Sequence, residues 1–436
     1  MGYRVILIIA LLLMPCAAWG DTHAAASAAY DDVNTAIGLS ETGDTVTVPA
    51  GDAEWTAANK VTADKAITLK GAGIGSTNIT LSGAGALTVT AGASVTGFTF
   101  LLPDTYGQYA SFSGAGFRFT GNLWTASGEQ HKGQLYVNQV YGLIDNNTFE
   151  KGASTNEMIF VRGPQDSWTT DDSIGTANNV FIENNTFSGS GYPSFNSNAR
   201  VVFRYNTITG NIKVDAHGKC TNSPNRGVRH YEIYNNLWTY VTQNQRMMEI
   251  RGGTGRIFNN QADVEQYLLL RDYASIYTID LCFGYKSTDY PPDGACGCPS
   301  LVPLDDMIGV GKDPKSRGSE PLYLWNNTNF TLNLNANAPN EGCRTYCNET
   351  YGDAVDFVMS DIIVENTDYF NSETKPEAMS GYTPYQCPHP STGLSGTCSP
   401  SIAGRAGYNL SSGVTGIGSG GTASMGAGGT LTLTSP

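Results

Sequence analysis

The chain has 436 residues and a formal net charge of −14, from 39 acidic and 25 basic side chains. That balance disfavours nucleic acid and anionic membrane as partners, although a local basic strip can still face an anionic substrate. With 51 glycines, abundant Asn, Thr and Ser, and no long helical periodicity, the composition points to an all-β chain rich in turns.

The N-terminus reads as an export signal. Met1 to Arg4 carries one positive charge, Val5 to Met14 is an apolar run too short to span a bilayer, and small residues stand at Ala18 and Gly20. Leu13-Met14-Pro15 is a poor lead-in to a lipid-modified Cys16. A cleaved signal peptide is expected over 1–20, a mature chain from about Asp21, and a secreted, extracellular or cell-surface location. No later segment approaches the roughly 20 apolar residues of a membrane helix, so no membrane span is expected.

Next comes "AAYDDVNTAIG" (28–38), a short amphipathic helix, then the strand-like runs "DTVTVPAG", "KAITLKGAG" and "ALTVTAGASVTGFTF". From residue 120 onward a motif recurs: "FTGNLW", "LIDNNTF", "FIENNTF", "FRYNTI", "IYNNLW", "RIFNNQ" and "YLWNNT". Aligned on Asn122, Asn147, Asn185, Asn206, Asn236, Asn260 and Asn327, the steps are 25, 38, 21, 30, 24 and 67 residues. The short steps match one coil of a stacked solenoid, and the longer ones a coil plus an insertion. Stacking would put Ile144, Ile182, Phe203, Ile233 and Ile257 in one interior column. Each asparagine falls at a bend, where its amide can bond the backbone and the asparagine of the next coil. Asn also tolerates the left-handed backbone of such a bend. Asn-Asn-Thr is a glycosylation sequon as well, but its recurrence at the coil period favours the ladder.

The "DTVTVPAG…KAITLKGAG" run and the asparagine ladder resemble the right-handed parallel β-helix proteins of the pectate-lyase-like superfamily, over roughly residues 28–370. The segment 362–390, "IIVENTDYF…GYTPYQCPHP", is similar to secreted bacterial β-helix proteins of unknown function. The resemblance implies an all-β, right-handed parallel β-helix with an N-terminal helical cap protecting its open edge. The β-helix is expected over 21–375 and a Cys/Gly/Ser-rich extension over 376–436.

In a β-helix, strand residues alternate inward and outward. In "IFVRG", "KVDAHG", "MEIRGG" and "LLLRD", the residues Val161, Val214, Ile250 and Leu270 face inward. Arg162, His217, Arg251 and Arg271 then face outward, 15, 11, 15 and 11 residues after their ladder asparagines. They form one basic column, with Asp215 and Glu249 two residues earlier on their strands. Two readings stand side by side: a laced, solvated sheet face, or a groove whose arginines bind the carboxylates of an extended anionic polymer. The densest stretch, 213–251, adds Lys213, Arg226, Arg229, His230, Glu232 and Arg246, and the loop 218–228 with Cys220 is expected to emerge beside His217.

Acidic polysaccharide or a surface glycan is therefore the expected partner. In β-elimination, Arg251 and Arg229 would hold the substrate carboxylate while His217 or Lys213 acts as base. Arg162, Asp215, Arg226, Glu249 and Arg271 would line the groove, with Tyr234 as an external stacking platform. Calcium is the one cofactor considered, in place of an arginine, with Asp171-Asp172 the nearest acidic pair. The alternatives are hydrolysis and a non-catalytic adhesin. Ala216-His217-Gly218 and Arg251-Gly252-Gly253 look partly similar to the motifs of polygalacturonase-type β-helix hydrolases, but the acidic motifs that should precede them do not match. The other elements look structural: Trp238 as core, His230 as a hydrogen-bonded strand residue. Eight mature cysteines (Cys220, Cys282, Cys296, Cys298, Cys343, Cys347, Cys387, Cys398) suggest disulfides, concentrated in insertions from about residue 282, rather than a zinc site.

Overall fold

The computed structural model describes residues 20–102, 107–126, 133–151, 157–218, 227–239, 242, 245–270, 308–309, 311–312, 318–334, 363–394, 422–425 and 429–432. Residues 1–19 of the expected signal peptide, Arg226, Arg271 and all mature cysteines except Cys387 lie outside these residues.

One turn of the chain shows the plan. Arg200–Arg204 lies in a narrow sheet, the backbone bends at Asn206, and Thr207–Ile212 and Val214–Ala216 form two segments of a wide sheet. The next turn repeats this with His230–Tyr234, Leu237–Thr239 and Arg246–Ile250. Among the described residues the narrow sheet has 12 strands and the wide sheet 17. Successive turns pair in parallel, as in Arg200↔His230 and Asp215↔Glu249. This is a parallel β-helix. A separate antiparallel pair joins Thr422–Met425 to Gly429–Thr432.

The expected interior column is present. Ile144, Ile182, Phe203, Ile233 and Ile257 pair in register, each fully buried. The column runs on through Phe119 at one end and Leu324 at the other. In the wide sheet, Phe149 and Phe187 stack with centroids 4.9 Å apart. Trp238 is fully buried and donates its indole N–H to Ile212 O.

All seven ladder asparagines occupy one file, buried from Asn122 to Asn260 and half-buried at Asn327. The backbone N–H of each donates to the side-chain oxygen of the next, from Asn122 to Asn147 at 3.0 Å through Asn260 to Asn327 at 3.2 Å. Each side-chain amide also reaches a core-strand carbonyl of the preceding coil, for example Asn206 Nδ2 to Ile182 O at 2.9 Å. The left-handed conformation belongs to the residue before: Asn146, Asn184, Asn235, Asn259 and Asn326 have φ of 50–55°. The Asn-Asn doublet thus divides two tasks, the first residue turning the chain and the second filling the ladder. Gly121 and Tyr205 take the first task where the doublet is missing.

The expected N-terminal helix spans Tyr30–Leu39 and buries Val33, Ala36 and Ile37 against the first coil. Asn34 donates to Lys60 O and accepts from Thr62 N, replacing a neighbouring strand at the open edge. Lys65 Nζ holds the carbonyls of Ile37, Gly38 and Ser40 at the helix C-terminus, where the helix dipole favours a cation.

From the coil of Leu143 onward the narrow sheet's outer face is covered, whereas the earlier coils present Thr45, Lys70 and Thr96 there. After the strand Tyr369–Ser372 the chain turns back and runs along the stack as a strap. Tyr382 packs edge-on against Trp325 and Phe258, Arg204 binds the carbonyls of Tyr385 and Gln386, His389 N–H donates to Glu183, and Arg118 reaches Ser391 O. Beneath it lie Leu143, Phe181, Val202, Tyr234, Phe258, Tyr323 and Trp325. The region expected to be an extension therefore begins as part of the packed fold.

The division of labour in the doublet is measurable by urea unfolding. Asn206→Ala leaves the Asn185 N–H and the Ile182 carbonyl buried without their partner, and should cost roughly 2–4 kcal/mol. Asn184→Gly should change stability by no more than about 0.5 kcal/mol, whereas Asn184→Val, forced into the left-handed region, should lose about 1–2 kcal/mol.

Candidate functional site

The pairing of the wide sheet fixes which outward side chains are neighbours. Asn138 pairs with Arg162, Arg162 with Asn196, Phe195 with Ala216, and Ala216 with Ile250. One step beyond the last two pairs, Asn196, His217 and Arg251 follow in line. The expected column is found in part: Asn196 separates Arg162 from His217, and Arg271 lies outside the described residues, so His217 and Arg251 are the pair of cationic-type neighbours on adjacent coils among the described residues. The adjoining column, two residues earlier, reads Tyr136, Phe160, Ser194, Asp215 and Glu249.

Asp215 and Glu249 face outward yet are only 1% and 2% exposed. The solvated version of the laced-face reading is thus corrected: the lacing is present and it is buried. Arg251 clamps Asp215 through two bonds, Nε to Oδ1 at 3.1 Å and Nη2 to Oδ2 at 2.6 Å. Lys213 Nζ lies 2.6 Å from Glu249 and 3.5 Å from Asp215. Arg246 reaches Glu249 at 3.3 Å. Lys213 also sits 4.7 Å from the centroid of the Tyr192 ring. Carboxylates this buried are retained only when paired, since removing a charge from water is costly.

Titration behaviour follows from this packing. Burial alone would raise the Asp215 pKa, but Arg251, Lys213 and His217 outweigh it and the net shift is downward. Asp215 is therefore ionised at neutral pH. Burial and the Arg251 charge lower the His217 pKa below 6.5, against a smaller opposing pull from Asp215. The imidazole is neutral at pH 7. Its Nδ1 lies 2.8 Å from Gly218 O, so Nδ1 carries the proton and donates, and the lone pair is on Nε2. Burial and the nearby carboxylates of Glu157 and Asp215 raise the Tyr192 pKa, which keeps the phenol protonated.

Two expected site residues do not join this cluster. Arg229 is fully buried on the other side of the turn, under the segment 165–170. It forms a two-bond ion pair with Glu320 at 2.6 and 3.0 Å and lies over Trp168. Its guanidinium is thus committed to Glu320 and to the carbonyls of Ser167 and Thr170 rather than to the cluster around Arg251. Tyr234 does face outward, but on the narrow sheet, where the strap leaves it 1% exposed. It stacks on Phe258 at 4.6 Å and accepts a bond from Arg204, so it is no external platform. Burial and three nearby arginines push the His230 pKa well down; fully buried, His230 bonds Asn179 at 2.7 Å, as a structural histidine does. Asp171 pairs with Lys312, and Asp172 lies among Glu320, Arg256 and Arg229. Of the acidic pair considered for calcium, Asp171 is thus committed to a lysine. Among the described residues, no group of three or more His, Cys, Asp or Glu is arranged to hold a metal. Arg226, Arg271, Cys220 and residues 219–226 of the expected loop lie outside the described residues.

The structure adds Tyr192, Ser194 and Asn196, which the sequence reading passed over. They stand on the continuous 11-residue strand Thr186–Asn196, which carries no charge. The signal was nevertheless available. The offset of 11 residues that gives His217 from Asn206 also gives Asn196 from Asn185. Glu157 enters too, paired in register with Tyr192 and accepting from Gln134 Nε2 at 2.9 Å. No protein-family model matches the chain, and no curated protein matches it.

The buried clamp makes Arg251 a structural as well as a chemical residue. Arg251→Ala strands the Asp215 carboxylate and should destabilise the protein by about 3–5 kcal/mol in urea unfolding. Removing both charges, with Arg251→Met and Asp215→Leu together, should recover most of that loss.

Proposed function

We propose that this is an exported carbohydrate-active β-helix protein of the pectate-lyase-like type, which binds an acidic polysaccharide on the wide sheet and cleaves it by β-elimination. The observation that carries this reading is His217: a neutral imidazole of fixed tautomer, set beside Arg251 in a cluster of opposing charges. Arg162, Lys213, Arg246 and Arg251 stand there against Glu157, Asp215 and Glu249, four cations to three carboxylates, in a protein that is strongly acidic as a whole. A small local excess of positive charge suits a uronate.

In the proposed reaction, the cations draw charge from the substrate carboxylate and acidify the adjacent C5–H. His217 Nε2 takes that proton. The C–H electron pair becomes the C4–C5 double bond, the C4–O bond breaks, and the glycosidic oxygen leaves with a proton. That proton comes from the new imidazolium on a syn path, or from the Lys213 ammonium on an anti path. Hydrolysis requires one carboxyl kept protonated as acid. Asp215 is ionised and Glu249 is held by Lys213 and Arg246, which favours elimination over the glycosidase reading. The mature cysteines are proposed to pair as disulfides in the exported chain.

A panel of uronate polymers tests the reading, with and without chelator. Elimination gives an unsaturated product with new ultraviolet absorbance; reducing ends without that absorbance mean hydrolysis; binding without either means an adhesin. On the cleaved polymer, His217→Ala should lower turnover roughly 100- to 10,000-fold. Its stability should fall by about 1 kcal/mol, the value of the bond to Gly218. The sign of the pH dependence follows from the lowered pKa. kcat/KM should fall as pH drops through the His217 pKa, so the midpoint of the acid limb should lie below 6.5. A midpoint above 6.5, or an active His217→Ala, removes the histidine from the role of base.

A further inference from the structure

The outward column that holds Asp215 and Glu249 changes character along the stack. From the N-terminal end it reads Thr62, Thr88, Ser111, Tyr136, Phe160 and Ser194, each paired in register with the next. Thr and Ser are what a solvated sheet face carries. Tyr136 and Phe160 interrupt that run immediately before the charged cluster. Both lie between core residues, Leu135 and Val137 for one, Ile159 and Val161 for the other, so both rings point outward. They are half-buried, with centroids 5.6 Å apart and planes inclined by 48°. Tyr136 also donates its hydroxyl to Asn138 at 3.2 Å, which fixes the ring.

The residue between the rings and the acids is Ser194. It is fully buried, and its Oγ has no hydrogen-bond partner among the described residues. Paired with Phe160 on one side and Asp215 on the other, it marks where the column passes from the half-buried rings to the closed packing of the charged cluster.

We infer that Tyr136 and Phe160 are a sugar-stacking subsite, and that an acidic glycan lies along the helix axis from the rings to the charged cluster. This rests on the proposed function and gives it a direction. The axial C–H groups of a pyranose are attracted to the negative face of an aromatic ring. The charged cluster supplies what the rings do not, recognition of the carboxylates. A cross-strand aromatic pair also stabilises a sheet by itself, so the test must separate binding from folding.

The probes are oligouronates of defined length, from dimer to hexamer, titrated calorimetrically into the full chain. Neutral hexasaccharides of glucose and xylose are the controls. Wild type should show a step in affinity once the oligomer is long enough to reach from the charged cluster to the rings. Phe160→Thr and Tyr136→Thr restore the residue type of the neighbouring coils and should abolish that step, a loss of about 3- to 10-fold for the long oligomers alone. If the threonine variants keep the wild-type length dependence, the subsite is overturned while the proposed function stands. If wild type binds the neutral hexamers as well as the uronates, the acidic occupant is wrong. If it binds no uronate at all, the subsite and the proposed function fall together.

Discussion

The structure depends on one requirement: the backbone groups at each bend between the two sheets are buried, and buried polar groups need partners. The asparagine file meets it. Each side-chain oxygen accepts from the bend of the preceding coil, and each side-chain amide binds a carbonyl of a core strand. Coils can then differ in length, because the loops are attached elsewhere on the ring. The 38-residue step after Asn147 and the 67-residue step after Asn260 leave the file unbroken.

The same constraint fixes the candidate site. With the bend locked, the number of residues to the far edge of the wide sheet decides which side chain emerges there, and in register with what. His217 beside Arg251, and Asp215 beside Glu249, follow from that register. Their burial sets the chemistry. A solvated face would leave His217 near its ordinary pKa and Asp215 loosely paired. Half-buried, the histidine stays neutral, and the fully buried aspartate stays charged, which are opposite demands met within one group of side chains.

Much of the fold was legible in the sequence because its determinants are local and repeated. The seven asparagines, the interior column and the helix over Tyr30–Leu39 each depend on a pattern within a few residues. The His217–Arg251 part of the charged column was legible for the same reason, since an offset from a bend is a local count; Asn196, which breaks the column, was not counted. Arg229 and Tyr234 were misplaced because their surroundings are set by segments distant in sequence. Glu320, 91 residues away, takes the guanidinium of Arg229, and the strap around 379–385 covers Tyr234. No strand alternation announces a chain that returns over its own outer face. Tyr192 and Ser194 were passed over for another reason: an uncharged coil gives no reason to look at it, although its register was already implied.

A stack of coils ordinarily behaves as a one-dimensional array, in which each unit is supported by its neighbours alone and fraying begins at the last one. The strap changes that connectivity. It leaves from the final narrow-sheet strand at Ser372 and reaches back past Arg204 to Arg118. The terminal coils are thus tied to the middle of the array by contacts 181 and 273 residues apart in sequence. Peeling the last coil away must also detach Tyr382, Tyr385 and His389 from the aromatic face, and the middle coils lose their cover when the end comes loose. Such a tie turns a chain of nearest-neighbour steps into a loop of mutual dependence. Over the coils it spans, the solenoid should unfold as one cooperative unit rather than unravel from its C-terminal end.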